Sequence, residues 1–368
     1  MQRAMVEALR EQQQPIPPPL FVVLGYKVRE PQTVTIQSKE VEWRNGMSSL
    51  YLVQQGTRLS KEQGRFVLAV PAKERRARNE ERGGKKEGRG EEIEIPIREV
   101  DRVLVFGNIQ LTSAVIGACL QQQIPVVFLS QLGEYKGHLW SAESADLAVE
   151  AAQFRRQEDE AFKRQVAREI VRGKLWNSKQ LLLRLNRKSQ WPQVADIIHF
   201  IREQLEAVGQ SSNTPTLDHI RGYEGAGAAQ YFVGLSQLIT NPGFSLKDRN
   251  YHPPKDPVNA LLSFGYTLLY NNVFSLLLVE GLNPYLGNLH GAERQKAYLA
   301  FDLMEEFRSP IVDTLVMRLI NQKIIRPTDF SWPKENGGVY LVDPARRVFL
   351  KYFEERMSEK VSYPDLKE

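Results

Sequence analysis

The chain has 368 residues, 42% of them hydrophobic and 25% charged, with a formal net charge of +5. These are the values of a globular protein long enough for two domains with their own cores, and they exclude a disordered or collagen-like chain. The single cysteine, Cys119, excludes an intramolecular disulfide and argues against a cysteine-based zinc site.

Cys119 lies in an apolar run over 114–120 and reads as a small buried hydrophobe, in keeping with a reducing compartment. The opening residues are polar and charged, so no signal peptide is expected. The longest apolar runs, such as 273–279, fall short of the roughly 20 residues of a membrane span. A cytoplasmic protein without membrane contact is the expectation.

Residues 1–47 read as an N-terminal extension or fusion linker. A short helical pattern over 3–14 gives way to Pro15-Ile-Pro-Pro-Pro19, which favours a stiff extended spacer. Val34 and Ile36 alternate with polar residues, as in a strand. Residues 48–140 read as a β-rich domain. Short β-favouring runs at 50–53 and 66–70 are broken by Gly56 and Gly64. Ile93, Ile95 and Ile97 alternate with polar neighbours, and 103–106 and 125–129 read as buried strands flanking a helix over 112–122. The segment 73–92 is almost devoid of apolar residues and cannot offset its ordering entropy by burial. It predicts a mobile loop, with a DNA-contacting tether as the alternative.

From 141 to 368 the periodicity is helical, with long helices and weak strand signals. Residues 155–188 hold 11 Lys+Arg against 4 Asp+Glu. This stretch therefore carries more positive charge than the whole chain. Arg164, Arg168 and Arg172 recur every four residues and share a helix face, readable as a solvated face or as a stripe that follows phosphates. The tail, beyond Gly337-Gly338, ends in an amphipathic helix through Phe349, Phe353 and Met357.

Three segments carry side chains suited to metal chemistry. Glu224 sits within Arg221-Gly-Tyr-Glu-Gly-Ala-Gly-Ala-Ala-Gln-Tyr-Phe232, where small residues allow close approach and a crowded carboxylate calls for a partner. His290 lies in Asn288-Leu-His-Gly291, a tight connection ahead of a helix expected to begin near Glu293. Asp302 lies in Ala300-Phe-Asp-Leu-Met-Glu-Glu-Phe-Arg308, an unfavourable place for an aspartate by propensity. An imidazole at 290 meets Asp302 only if the loop folds back along that helix. Glu305, one turn on, shares the face of Asp302 and is a further candidate beside the ligands; Glu306 is expected to face solvent or to pair with a base. Taken singly, each also reads as an ordinary surface, loop or core residue. Together, one imidazole and two carboxylates suit Mg²⁺ or Mn²⁺. Lys247, Arg249, Arg294 and Arg308 are candidate phosphate contacts. Tyr223 and Tyr266 read as core residues or supports of the site. No GxxxxGK[ST] loop occurs, in keeping with chemistry that needs no nucleotide.

These segments resemble the universal CRISPR-associated adaptation integrase family, metal-dependent DNA endonuclease-integrases that insert new spacers. The likeness extends from about Ser49 to the C-terminus. Residues 50–61 look like the family's opening hairpin, 103–112 and 124–129 resemble its next strands, and 256–268 is similar to a signature helix. The resemblance implies an α+β fold, with a small β-sandwich-like N-terminal domain (dimerisation) and a larger all-helical catalytic domain. It places Glu224, His290 and Asp302 at the family's metal-binding and catalytic positions, with His290 as ligand or general base. It further implies DNA substrates (prespacer and CRISPR repeat), a homodimer, a small ferredoxin-like companion and, given the extra N-terminal residues, a link to a reverse transcriptase or a nuclease. The reaction it implies is transesterification by a prespacer 3′-OH. A stand-alone nuclease for branched DNA and a non-catalytic DNA-binding scaffold are the alternatives.

Overall fold

The computed structural model describes residues 33–34, 49–71, 91–130, 135–139, 147–209, 215–250, 253–279, 281–291, 296–332, 337–357 and 359. The helix expected over 3–14, Ile36, Arg294 and all but the last two residues of the 73–92 insert lie outside them. The described residues fall into two compact units divided between Ser144 and Ala145.

The first unit carries two sheets. One has the order β1-β2-β6-β8-β9, built from Thr33–Val34 (β1), Ser49–Leu52 (β2), Arg102–Phe106 (β6), Val126–Leu129 (β8) and Tyr135–Leu139 (β9). β1, β2, β6 and β8 run parallel, and β9 returns antiparallel to β8. Helix α1, Ser113–Gln121, lies between β6 and β8 and makes their parallel crossover possible. Strands buried on both faces read as unbroken apolar runs, as Leu50-Tyr-Leu52 and Val103-Leu-Val-Phe106 do. The other sheet has the order β5-β4-β3-β7, from Arg58–Glu62 (β3), Arg65–Val70 (β4), Glu91–Pro96 (β5) and Gln110–Leu111 (β7). Leu50, Leu52, Val103 and Val126 of the first sheet share one core with Leu59, Phe66, Leu68 and Ile95 of the second and with Val115, Ala118 and Cys119 of α1. Burial pushes the Cys119 thiol up to about 11, as suits an inert core residue.

Two expectations change here. The run 50–61 is not a hairpin: β2 pairs with β1 and β6, while β3 pairs with β4 and β7 in the other sheet. The turn between them, with Gly56 at φ +77°, passes the chain from sheet to sheet. The polar insert also stops short of Glu92, because Glu91 and Glu92 pair with Val70 and Ala69. β5 is the edge of its sheet, where charged residues are well tolerated.

The second unit is a bundle of helices α2 (Leu147–Arg156), α3 (Glu160–Ser189), α4 (Pro192–Gly209), α5 (Leu217–Gln237), α6 (Pro257–Val279), α7 (Tyr298–Phe307), α8 (Thr314–Asn321) and α9 (Asp343–Met357). α3 is capped by Asp159, whose side chain accepts from Phe162 N at 3.0 Å, and it ends at Gln190 in the left-handed region. α5 is capped by the Thr216 hydroxyl, which accepts from His219 N. α6 is apolar along its length and long enough to cross a membrane, but most of it is buried within the unit, as a central core helix would be. The unit is not all-helical: Phe330–Ser331 and Tyr340–Leu341 pair as a short antiparallel β10–β11. α7 begins at Tyr298, later than the residue near 293 expected from periodicity. It widens into a π-helical turn over Arg308–Asp313, which contains Pro310 and its missing N–H.

Candidate active site

The site is built where α3, α5 and α7 converge, and glycines permit the approach. A Cβ on Gly173 of α3 would stand 2.6 Å from Glu306 Cδ on α7. A Cβ on Gly227 of α5 would run into the side chain of Leu175 on α3. Between these two contacts lies Lys174, whose side chain is 11% exposed. Its ammonium pairs with Glu224 of α5 and, at 2.6 Å, with Glu305 Oε2 of α7. The other oxygen of Glu305 takes Arg308 Nη2 at 2.8 Å. Burial pushes the Glu305 carboxyl up, but Arg308 and Lys174 outweigh it and hold its pKa below the usual carboxylate range. Burial likewise opposes the Arg308 charge, and Glu305, Tyr266, Asp313 and Glu224 together more than offset that.

His290 reaches the site by the fold-back its distance from Asp302 demanded. Gly287 permits it: a Cβ there would meet Tyr298 Cβ at 2.5 Å and Asp302 Oδ2 at 3.0 Å. The loop then closes over the fully buried Asp302. Asn288 N and Leu289 N donate to Asp302 Oδ2 at 2.6 and 2.8 Å, and His290 N donates to Oδ1 at 3.1 Å. His290 Nδ1 stands 2.6 Å from Oδ1. With Nδ1–H donating, the tautomer is fixed and Nε2 is the ring nitrogen left for a ligand. This bond raises the His290 pKa above its ordinary value, helped by the nearby charges of Glu305 and Glu224. Arg221 of α5 pins the loop from above by donating to Leu289 O at 2.7 Å.

Glu224, His290, Asp302 and Glu305 are thus gathered at one place, but with unequal freedom. The Asp302 carboxylate is committed to three amides and an imidazole. Glu305 Oε2 is buried, and its ion pair with Lys174 is not a well-aligned hydrogen bond. Among the described residues, no three His, Cys, Asp or Glu side chains converge closely enough to hold a metal ion as they stand. The Lys174 ammonium lies where Glu224 and Glu305 meet. The donor set fits a hard dication: two carboxylates from different helices already close on one positive charge, beside an imidazole.

Glu306 is buried against Gly173 rather than facing solvent. Arg308 lies over the Tyr266 ring, 4.8 Å from its centroid, and Arg249 lies on the same ring at 5.3 Å. Arg249 also donates to Asn259 Oδ1 at 2.7 Å and Ser263 Oγ at 3.1 Å. Lys247 is exposed, whereas Arg164, Arg168 and Arg172 are half-buried on α3; the last two both pair with Glu169. Tyr223 is half-buried on α5, one residue before Glu224.

Sequence reasoning missed Lys174, and it missed the buried Asp313, which accepts from the hydroxyls of Tyr231 and Tyr266 at 2.6 Å each. One signal was available for the first: Gly173 in the middle of a 30-residue helix costs helical stability unless another element approaches closely there.

A family model described as CRISPR associated protein Cas1 matches residues 50–355. A CRISPR-associated endonuclease Cas1 of Thermus thermophilus is 34% identical over 316 residues, 86% of this chain and 89% of that protein. A second such endonuclease, of Rhodospirillum rubrum, is 32% identical over 88% of this chain and 90% of its own length. The solved structure of a Cas1 protein from Thermotoga maritima superposes with a TM-score of 0.68 at 25% identity, covering 85% of this chain and 91% of that one.

Proposed function

The chain belongs to the CRISPR-associated Cas1 endonuclease family, and we propose that it is a metal-dependent DNA integrase that inserts prespacer DNA into a CRISPR repeat by 3′-OH transesterification. The observation that carries this reading is the convergence of Glu224 and Glu305, from two helices, on one cation beside His290.

Glu224 and His290 would hold the metal with a carboxylate from α7. The geometry favours Glu305 over Asp302 for that third place, because the oxygens of Asp302 already hold the 288–290 loop. Asp302 then orients the imidazole and fixes which nitrogen it presents. A bound Mg²⁺ or Mn²⁺ at such a site supplies Lewis-acid activation of a phosphodiester. Arg308 holds Glu305 ionised and in place. His290 Nε2 serves either as ligand or as the base that takes the 3′-OH proton. One phosphodiester replaces another, so no nucleotide is consumed.

The first unit serves as the dimerisation domain of a homodimer, in a β-sandwich-like arrangement. A small ferredoxin-like companion bridges dimers, a reverse transcriptase is a further partner, and the complex acts in the cytoplasm. Arg164, Arg168, Arg172, Lys247 and Arg294 are the cations offered to DNA phosphates.

The test is strand joining. The protein, its companion and Mn²⁺ or Mg²⁺ are incubated with a labelled prespacer and a supercoiled repeat plasmid. Label transfer by wild type and by neither His290→Ala nor Glu305→Ala is expected. Nicking without joining would indicate a stand-alone nuclease. Equal joining by wild type and variants would place the catalytic site elsewhere or reduce the centre to a scaffold.

A further inference from the structure

We infer that Lys174 is a built-in counter-cation of the Glu224–Glu305 pair, one that a divalent metal has to displace, so that this lysine sets how tightly the centre takes its metal. The inference rests on the metal-centre reading above and concerns Lys174, to which that reading assigns no role in metal binding or catalysis.

The placement of Lys174 is over-determined. The backbone on either side is wedged, Gly173 against Glu306 of α7 and Leu175 against Gly227 of α5. Both neighbours of Lys174 are thus in close contact with other helices, and its butyl arm is the part left to carry the ammonium away. Arg308 neutralises one oxygen of Glu305, while the other oxygen and the Glu224 carboxylate face each other with the Lys174 ammonium between them. Glu305 is 5% exposed and Lys174 11%, so water screens this arrangement poorly. Two such carboxylates without a cation would repel across a short distance, and removing the cation of a buried pair is costly.

The ammonium stands where the two carboxylates meet, and a dication held by those carboxylates would repel it across a short, poorly screened distance. Metal binding is then an exchange, in which the ammonium leaves as the metal enters. The lysine thus keeps the metal-free site assembled and at the same time lowers its affinity for metal. A merely structural ion pair elsewhere in the bundle would do the first without the second.

The test uses the full chain freed of metal by chelation and titrated with Mn²⁺ by calorimetry, alongside Lys174→Met, Lys174→Gln and Glu224→Gln. Both lysine variants are expected to bind Mn²⁺ about tenfold more tightly or better, because a positive charge next to a dication has been removed. Their metal-free melting temperatures should fall, and the rise on adding Mn²⁺ should exceed that of wild type. Unchanged or weaker Mn²⁺ binding by variants that keep their helical circular dichroism would overturn the inference. Should the variants fail to fold without metal, wild type decides by amine acylation and mass spectrometry. Labelling of Lys174 should rise when Mn²⁺ is added, and no rise would refute displacement. The metal-centre reading fails separately, and takes this inference with it, if wild type and Glu224→Gln bind Mn²⁺ alike or not at all.

Discussion

His290 Nδ1 stands 2.6 Å from Asp302 Oδ1, and the backbone amides of residues 288–290 close on the same carboxylate. The aspartate is therefore the post around which the loop is wound, and the histidine is held by its inner nitrogen. Glu305, one turn further along α7, touches no amide of that loop in the hydrogen bonds described and instead meets Lys174 and Arg308.

That contrast separates two variants that a sequence motif would treat alike. Asp302→Ala leaves buried amides unpaired and should cost about 3–5 kcal/mol of stability. Hydrogen exchange at the amides of 288–290 should accelerate with it. Glu305→Ala should keep those amides protected while abolishing Mn²⁺ binding and strand joining. Exchange measured by mass spectrometry on both variants checks the assignment. Protection lost in Glu305→Ala and kept in Asp302→Ala would reverse the two roles.

Much of this was legible in advance. The α+β character, the β-strand runs and the helical second half followed from period-two and period-3.6 patterns. The need for the 290 loop to fold back followed from its distance to Asp302 along the chain. What periodicity does not carry is pairing between distant segments. The run 50–61, for instance, reads as two neighbouring strands joined by a turn, and only the partners show that they belong to different sheets. Nor does it carry the sharing of one charge by three helices. Lys174 is unremarkable in its own helix, and its meaning comes from Glu224 and Glu305, 50 and 131 positions later. The division of labour between Asp302 and Glu305 was hidden for the same reason, since both lie on one face of α7 and only the loop amides distinguish them.

Asp313 gives a pH-dependent prediction. Burial raises its carboxyl from an ordinary 3.8 to about 6, although the hydroxyls of Tyr231 and Tyr266 pull the other way. A carboxyl with a raised folded pKa stabilises the fold most below its unfolded value, and that contribution is lost as pH rises through about 6. Asp313→Asn, which cannot ionise, should therefore gain on wild type as pH rises. Urea unfolding at pH 4 and pH 7.5 should show the stability difference moving in favour of the variant by roughly 2–3 kcal/mol. Any fixed cost of the amide drops out on comparing the two pH values. No change between them would mean that Asp313 is charged throughout.

Gly173 tests the close approach that assembles the centre. Alanine should stabilise an isolated helix by about 1 kcal/mol. Here its methyl would stand within 3 Å of three Glu306 side-chain atoms, and Glu306 is itself buried. Overpacking of this kind costs about 1–3 kcal/mol, so Gly173→Ala should be net destabilising by up to about 2 kcal/mol. It should also reduce strand joining beyond what the stability loss explains, because α3 carries Lys174 and α7 carries Glu305. Thermal unfolding and joining rates on the same preparation check both parts. A variant as stable and active as wild type would show that the two helices approach less tightly at this glycine.

The basic residues divide into those placed to meet phosphates and those already occupied. Lys247 is exposed, and Arg164 lies half-buried on the edge of α3. Arg249, by contrast, is braced by Asn259, Ser263 and the Tyr266 ring, and burial lowers its pKa. Replacing Lys247 or Arg164 by Ala should leave the melting temperature nearly unchanged and weaken DNA binding. The slope of log affinity against log salt should fall by about 0.9 for each phosphate of duplex DNA that the variant no longer neutralises. Arg249→Ala should instead cost about 1–3 kcal/mol of stability through the lost hydrogen bonds to Asn259, Ser263 and the Asn250 carbonyl. Its salt slope should stay close to that of wild type. Fluorescence anisotropy over a range of KCl concentrations, with unfolding curves on the same proteins, separates the two classes. A reduced slope for Arg249→Ala without loss of stability would return Arg249 to the DNA-contacting set.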